Sequence, residues 1–177
     1  MLSRGETEGV FQLESSGMKQ VLVGLQPQNL EDVIALISLY RPGPMDSIPT
    51  YLRNRHEPDK ISYKTPQLAH ILDVTNGCIV YQEQVMQIFR ELAGFSFGQA
   101  DNVRRAMSKK KHAVMEAERE HFVHGCTDPG NECPGCVANG ISEKVANEIY
   151  DEMSSFASYA FNKSHAACYA YVAFQTA

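Results

Sequence analysis

The chain has 177 residues, 44% hydrophobic and 21% charged, enough to bury a core in one domain or one large lobe. Its formal charge of −5 and pI near 5.7 exclude a general DNA-coating protein, and no apolar run approaches the roughly 20 residues of a membrane span. Met1 to Glu6 is too polar for a signal peptide, and five cysteines cannot form a complete disulfide set, so a reducing cytoplasm is the expected setting.

Helical periodicity dominates from there. Asn29 is the expected N-cap of a helix whose apolar stripe is Leu30, Val33, Ile34 and Ile37, with Glu31 and Asp32 in the favourable first turn. Arg41-Pro42-Gly43-Pro44 ends that helix abruptly. Thr65-Pro66 opens a short helix through about Leu72. Cys78-Ile79-Val80-Tyr81 can form a short strand leading into a helix that buries Val85, Ile88, Phe89 and Leu92. Ser96-Phe97-Gly98-Gln99 fits a capping box, and the helix after it should bury Phe97, Ala100, Val103 and Met107.

Residues 113–124 read as a charged helix. Residues 125–140, with four Gly and two Pro, read as a surface loop. Ser142 caps a helix with Val145, Ile149, Met153 and Phe156 inward. A last helix starts near Ser164, and its Ala166, Ala167, Ala170 and Ala173 would let another backbone approach closely. The chain ends at Phe174-Gln175-Thr176-Ala177, inside an apolar helical pattern with no stop signal, so it reads as a piece of a longer protein. The expected fold is mainly α: a single multi-helix lobe over 1–177 with at most short strands.

The charge is unevenly spread. Arg104, Arg105, Lys109, Lys110 and Lys111 lie within eight residues that hold no acid, while the other 169 residues carry a formal charge of −10. Such a block attracts an anion, with phosphate the first candidate: Arg offers a planar fork to its oxygens and Lys a point charge. The plain alternative is a solvated helix end in which Asp101 pairs with Arg105 at i+4. A second constellation is Tyr159-Ala160-Phe161-Asn162-Lys163-Ser164-His165, which gathers an aromatic ring, an amide, an ammonium and an imidazole at a helix start. Free N–H groups there suit a phosphate, with Asn162 and His165 as donors. Capping by Asn162 or Ser164 would explain part of the same pattern.

Cys133-Pro134-Gly135-Cys136 has zinc-knuckle spacing, and His124 and Cys126 could complete four ligands, although the second pair is irregular. Incidental loop cysteines are the alternative. Gly9-Val10-Phe11-Gln12-Leu13-Glu14-Ser15 and Tyr81-Gln82-Glu83-Gln84 are polar-aromatic clusters that could line a site, but neither spacing specifies chemistry, and packing and capping is the plainer reading. Among the seven aspartates no two are separated by a single residue, and no Walker-type loop is present. The chain is equipped to hold a phosphate and not to cleave one.

Six motifs then occur in order: Gly9 to Ser15, Arg41 to Pro44, Tyr81-Gln82-Glu83-Gln84-Val85-Met86, Arg104-Arg105-Ala106-Met107, Lys109-Lys110-Lys111 and Phe161 to His165. From about Gly5 to Ala177 the chain resembles the bacterial replicative C-family DNA polymerases, the polymerase III alpha subunits, in their form without an internal proofreading insert. The resemblance implies a helical fingers domain that closes over an incoming dNTP during Mg²⁺-dependent nucleotidyl transfer to a primer. It implies that the metal-binding aspartates lie in a palm outside this chain, that catalytic residues are absent here, and that the isolated chain is inactive.

By motif position, Arg104 and Arg105 would grip the triphosphate. Tyr159, Asn162 and His165 would contact the sugar and phosphates, and Lys163, Lys109, Lys110 and Lys111 would meet triphosphate or DNA backbone. The implied partners are the dNTP, primer–template DNA and other polymerase III holoenzyme subunits, the last through regions mostly outside the chain. The stretch from Cys126 to Cys136 is longer than in many members and resembles the form in some anaerobic Gram-positive bacteria.

Overall fold

A computed structural model describes residues 1–109, 112–157 and 159–177. Among the described residues the fold is helical and no strand forms; two isolated bridges, Tyr81 to Phe161 and Cys126 to Cys133, are the β-like pairings recorded. The α-helices are α1 (Ser16–Leu25), α2 (Leu30–Leu39), α3 (Ile48–His56), α4 (Ala69–Leu72), α5 (Gln82–Ala93), α6 (Phe97–Ser108), α7 (His112–His124), α8 (Gly135–Ala138), α9 (Glu143–Ala157) and α10 (Lys163–Thr176), with short 3-10 turns between several of them.

The helix starts follow local chemistry. Ser15, Asn29, Ser96 and Asn162 each accept a hydrogen bond from the third backbone N–H that follows, which satisfies a donor the helix cannot pair itself. Ser96 and Gln99 complete the expected capping box. Thr65 makes no such cap, and Pro66 opens a 3-10 turn that passes into α4.

The buried side chains form two clusters. One gathers α1, α2, α3 and α10 around Leu13, Leu22, Leu36, Leu39 and Tyr51. The other gathers α4 to α9 around Phe89, Leu92, Phe122, Tyr150 and Met153. In the second, the Phe89 ring lies 5.2 Å from Phe95, 5.0 Å from Phe122 and 6.0 Å from Tyr150 between centroids, tilted and edge-on contacts that aromatic quadrupoles favour. Residues 78–81 run between the clusters. Ile79 packs into one, while Cys78 and Val80 pack into the other, the alternation of an extended chain. The expected strand is thus extended backbone with a single bridge, because its neighbour at Phe161 turns at once into α10.

Three expectations about burial change. Leu30 is 42% exposed because α2 buries Asp32 through Leu39 on every side and leaves only Leu30 and part of Glu31 at the surface. Phe97 is 65% exposed and lies under the Arg90 guanidinium, 5.8 Å away. The 125–140 stretch, expected as a surface loop, contains α8 and sends Cys126, Cys133 and Cys136 into the core. Gly135 makes this possible: a Cβ there would lie 2.3 Å from the Gly125 nitrogen, so only a hydrogen lets the two backbones meet. The alanines of α10 behave as read, with Ala166, Ala170 and Ala173 buried where that helix lies along α2.

Candidate functional site

A cleft of about 410 Å³ opens at the seam between the clusters. Its walls come from three separate parts of the chain: Arg41, Pro42 and Pro44 after α2; Gln82 at the start of α5; and Tyr159, Phe161, Asn162 and His165 at the start of α10. The two helix starts are tied together. Phe161 donates its N–H to the Val80 carbonyl at 3.2 Å, and Gln82 donates to the Phe161 carbonyl at 2.9 Å. The positive ends of α5 and α10 are therefore neighbours.

Asn162 caps α10 with its Oδ1, which accepts from His165 N–H at 2.9 Å. Its Nδ2 donates to Glu83 Oε1 at 3.0 Å. The His165 ring sits between Phe161 and Tyr169, at 5.4 and 4.3 Å. Lys163 is turned away from the cleft, with its ammonium 2.9 Å from Glu31 and 5.4 Å from the Tyr81 ring centre. Its backbone N–H reaches both Glu83 oxygens, at 3.2 and 3.1 Å.

Arg104 joins this group from α6. Its Nη1 donates to Gln82 Oε1 at 2.9 Å, and Gln82 Nε2 donates to the Ala160 carbonyl at 3.0 Å. Its other nitrogens hold Asp101 at 3.0 and 2.7 Å. Arg105 reaches the same carboxylate at 2.7 Å, the pairing that the i+4 spacing suggested. These bonds, led by the one from Arg104, hold the Asp101 carboxyl below its ordinary range. The two arginines are not equivalent: the Arg104 side chain is 21% exposed and that of Arg105 is 65%. Neither arginine lines the cleft itself; Arg104 reaches its wall through Gln82. Lys109 ends α6 at the surface, while Lys110 and Lys111 lie outside the described residues.

Sequence reasoning gave Arg41 no role, and it offered Gln82 and Glu83 only as part of a cluster that could line a site. Arg41 lies with its guanidinium 4.3 Å above the Phe161 ring. Its signal was a cation fixed ahead of a rigid Pro-Gly-Pro turn. Within that turn Gly43 has φ of +102°, and the Tyr159 ring packs so closely that a Cβ would fall 2.6 Å from Tyr159 Cδ1. Gly43→Ala is expected to cost about 2 kcal/mol from backbone strain alone. A thermal melt should show the midpoint lowered by roughly 4–8 °C, with Tyr159 displaced. An unchanged midpoint would refute this packing.

The zinc alternative finds no ligand set. Among the described residues no three His, Cys, Asp or Glu side chains come together to hold a metal ion. Cys126 and Cys133 exchange backbone hydrogen bonds at 2.9 Å, and the His124 ring is at the surface, 3.9 Å from both Glu120 and Glu143. Burial pushes the Cys136 thiol up to about 12 and raises that of Cys133, which favours the protonated form over a metal-binding thiolate. For the same reason of geometry, the described residues offer Mg²⁺ no binding group of their own.

Comparison with known proteins decides the family. The bacterial DNA polymerase III alpha subunit finger domain matches residues 1–130. The chain belongs to this family. Its relatives extend the match through α10. The DNA polymerase III subunit alpha of Staphylococcus epidermidis is 47% identical over 174 residues, which is 98% of this chain and 15% of that protein. The Staphylococcus aureus protein of the same name is 48% identical over the same shares, and that of Thermus aquaticus is 50% identical over 182 aligned residues, covering all of this chain and 14% of the relative. The finger-domain chain thus spans about 15% of the length of these relatives. In this finger lobe no described helix is long and apolar enough to cross a membrane.

Proposed function

We propose that this lobe grips the triphosphate of an incoming dNTP during DNA-templated nucleotidyl transfer by a replicative DNA polymerase. One observation supports the reading: the hydrogen-bond path from Arg104 to Gln82, which lines the cleft, and on to the Ala160 carbonyl, which ties the more buried arginine of one cationic segment to the helix start of the other. Cations and a helix N-terminus converging from separate elements suit a polyphosphate, whose charge grows as pyrophosphate leaves. Arg104, Arg41, Asn162 and His165 are the proposed triphosphate and sugar contacts, with Tyr159 against the nucleotide. Arg105, Lys163 and Lys109 are proposed contacts to phosphate or DNA backbone, and the sequence run adds Lys110 and Lys111 to that proposal. Mg²⁺, on which the proposed chemistry depends, is assigned to carboxylates outside this lobe. Primer–template DNA and the other holoenzyme subunits are the proposed macromolecular partners, in the cytoplasm.

The test is a titration of isotope-labelled chain with dATP, followed by amide shifts. The signals of Gln82, Arg104, Asn162 and His165 should move together with a single weak affinity, and Arg104→Ala should abolish the response. Movement confined to the 104–109 surface, produced by DNA and not by dATP, would instead identify a backbone-binding module with a steep salt dependence.

A further inference from the structure

Both groups of donors proposed for the triphosphate already hold a carboxylate in the lobe without nucleotide. Asp101 takes the forks of Arg104 and Arg105, each at 2.7 Å. Glu83 lies between the starts of α5 and α10, where it accepts from Asn162 Nδ2 and from the Lys163 N–H, residues 79 and 80 positions further along. That is the place where two helix dipoles favour an anion. The two carboxylates are linked through the same bridge, since Gln82, next to Glu83, holds Arg104, which holds Asp101.

Resting on the nucleotide reading above, we propose that Glu83 and Asp101 are resident counter-ions that the triphosphate displaces. Each fills its donors with two oxygens and one charge. A single phosphate group competes with one of them at a time. A triphosphate offers a chain of charged oxygens that can replace both at once, so the exchange favours triphosphate over shorter anions. Closing the cleft then becomes an exchange of partners, with no cationic group left bare before or after. Glu83 and Asp101 are specificity-determining residues in this scheme and touch no reacting atom.

A purely structural role makes the opposite prediction. Glu83→Gln keeps the size and an acceptor oxygen for Lys163 N–H but removes the charge, and Asp101→Asn does the same on the surface of α6. Sodium tripolyphosphate and inorganic phosphate are titrated into the 177-residue chain, with melting curves recorded for each variant. Counter-ion exchange predicts that each substitution tightens tripolyphosphate binding about fivefold and narrows its preference over phosphate, while Arg104→Ala weakens it. If Arg104→Ala weakens binding but both carboxamide variants leave it unchanged or weaker, the exchange is overturned and the nucleotide reading survives. If Arg104→Ala changes nothing, both fall. Should Glu83→Gln unfold the chain, Asp101→Asn decides alone, because its carboxylate bonds only to arginines in the contacts above and packs in no core.

Discussion

In a polymerase carrying this lobe, Arg104→Ala should lower kcat/KM for dNTP by roughly 10²–10³-fold, the scale of removing one preorganised donor from developing charge. KM rises and kcat falls together. The ground-state triphosphate loses a two-pronged contact, and the departing pyrophosphate loses charge stabilisation at the moment it is most needed. Geometry sets the size of the effect. The Arg104 side chain is largely shielded from solvent and held by Gln82, so its field is poorly screened. Arg105→Ala should cost about tenfold or less, because that side chain is 65% exposed. Arg104→Lys should recover little, since an ammonium cannot hold the Gln82 amide and an anion in one plane. Wild-type steady-state kinetics for Arg104→Ala would remove the basis for the nucleotide assignment.

The largest stability loss is expected at a residue that never meets substrate. Gln84 is 4% exposed, and its side chain makes four hydrogen bonds: its Oε1 accepts from the N–H groups of Val80 and Tyr81, both at 2.9 Å, and its Nε2 donates to the Ile71 carbonyl at 3.1 Å and to Thr75 Oγ1 at 2.7 Å. Gln84→Ala strands two buried N–H groups and a carbonyl and opens a cavity. A loss of about 4 kcal/mol follows from the cost of unmet buried polar groups, which lowers the melting midpoint by roughly 8–16 °C. Gln87→Ala, one turn on, should change stability by under about 0.5 kcal/mol, because that amide bonds only to Glu91 at the surface. Equal melting points for the two variants would show that Gln84 does not hold segment 78–81 in place.

Much of the scaffold was legible because its signals are local. The apolar spacing of Val85, Ile88, Phe89 and Leu92 marks a face that the structure buries completely, and the caps at Asn29 and Ser96 depend on residues only three positions apart. The concentration of charge at Arg104 and Arg105 marks a segment whose first arginine bonds to Gln82, a residue of the cleft wall. What the sequence concealed depends on contacts distant along the chain. Gln82 and Glu83 resemble ordinary first-turn polar residues until Phe161 is laid beside Tyr81, which makes them the joint between two helix starts. Phe97 obeys helical periodicity yet faces outward, because periodicity reports a direction and not whether a neighbour stands there. The cysteines at 126, 133 and 136 have metal-like spacing, but glycines at 125 and 135 let two backbone stretches meet closely, and among the described residues no three metal-ligand side chains converge.

The extended segment Cys78-Ile79-Val80 between the two clusters has a mechanical corollary. Its alternate side chains are anchored in different cores, so it cannot slide toward either without opening a void in the other. A swing of one half of the lobe would have this segment and the strip bonded to it at 159–162 as its natural pivot. The strip at 159–162 lines the cleft, and an occupant there would sit beside the fulcrum, where a displacement of a fraction of an ångström would be magnified into a larger sweep at the far ends of the helices.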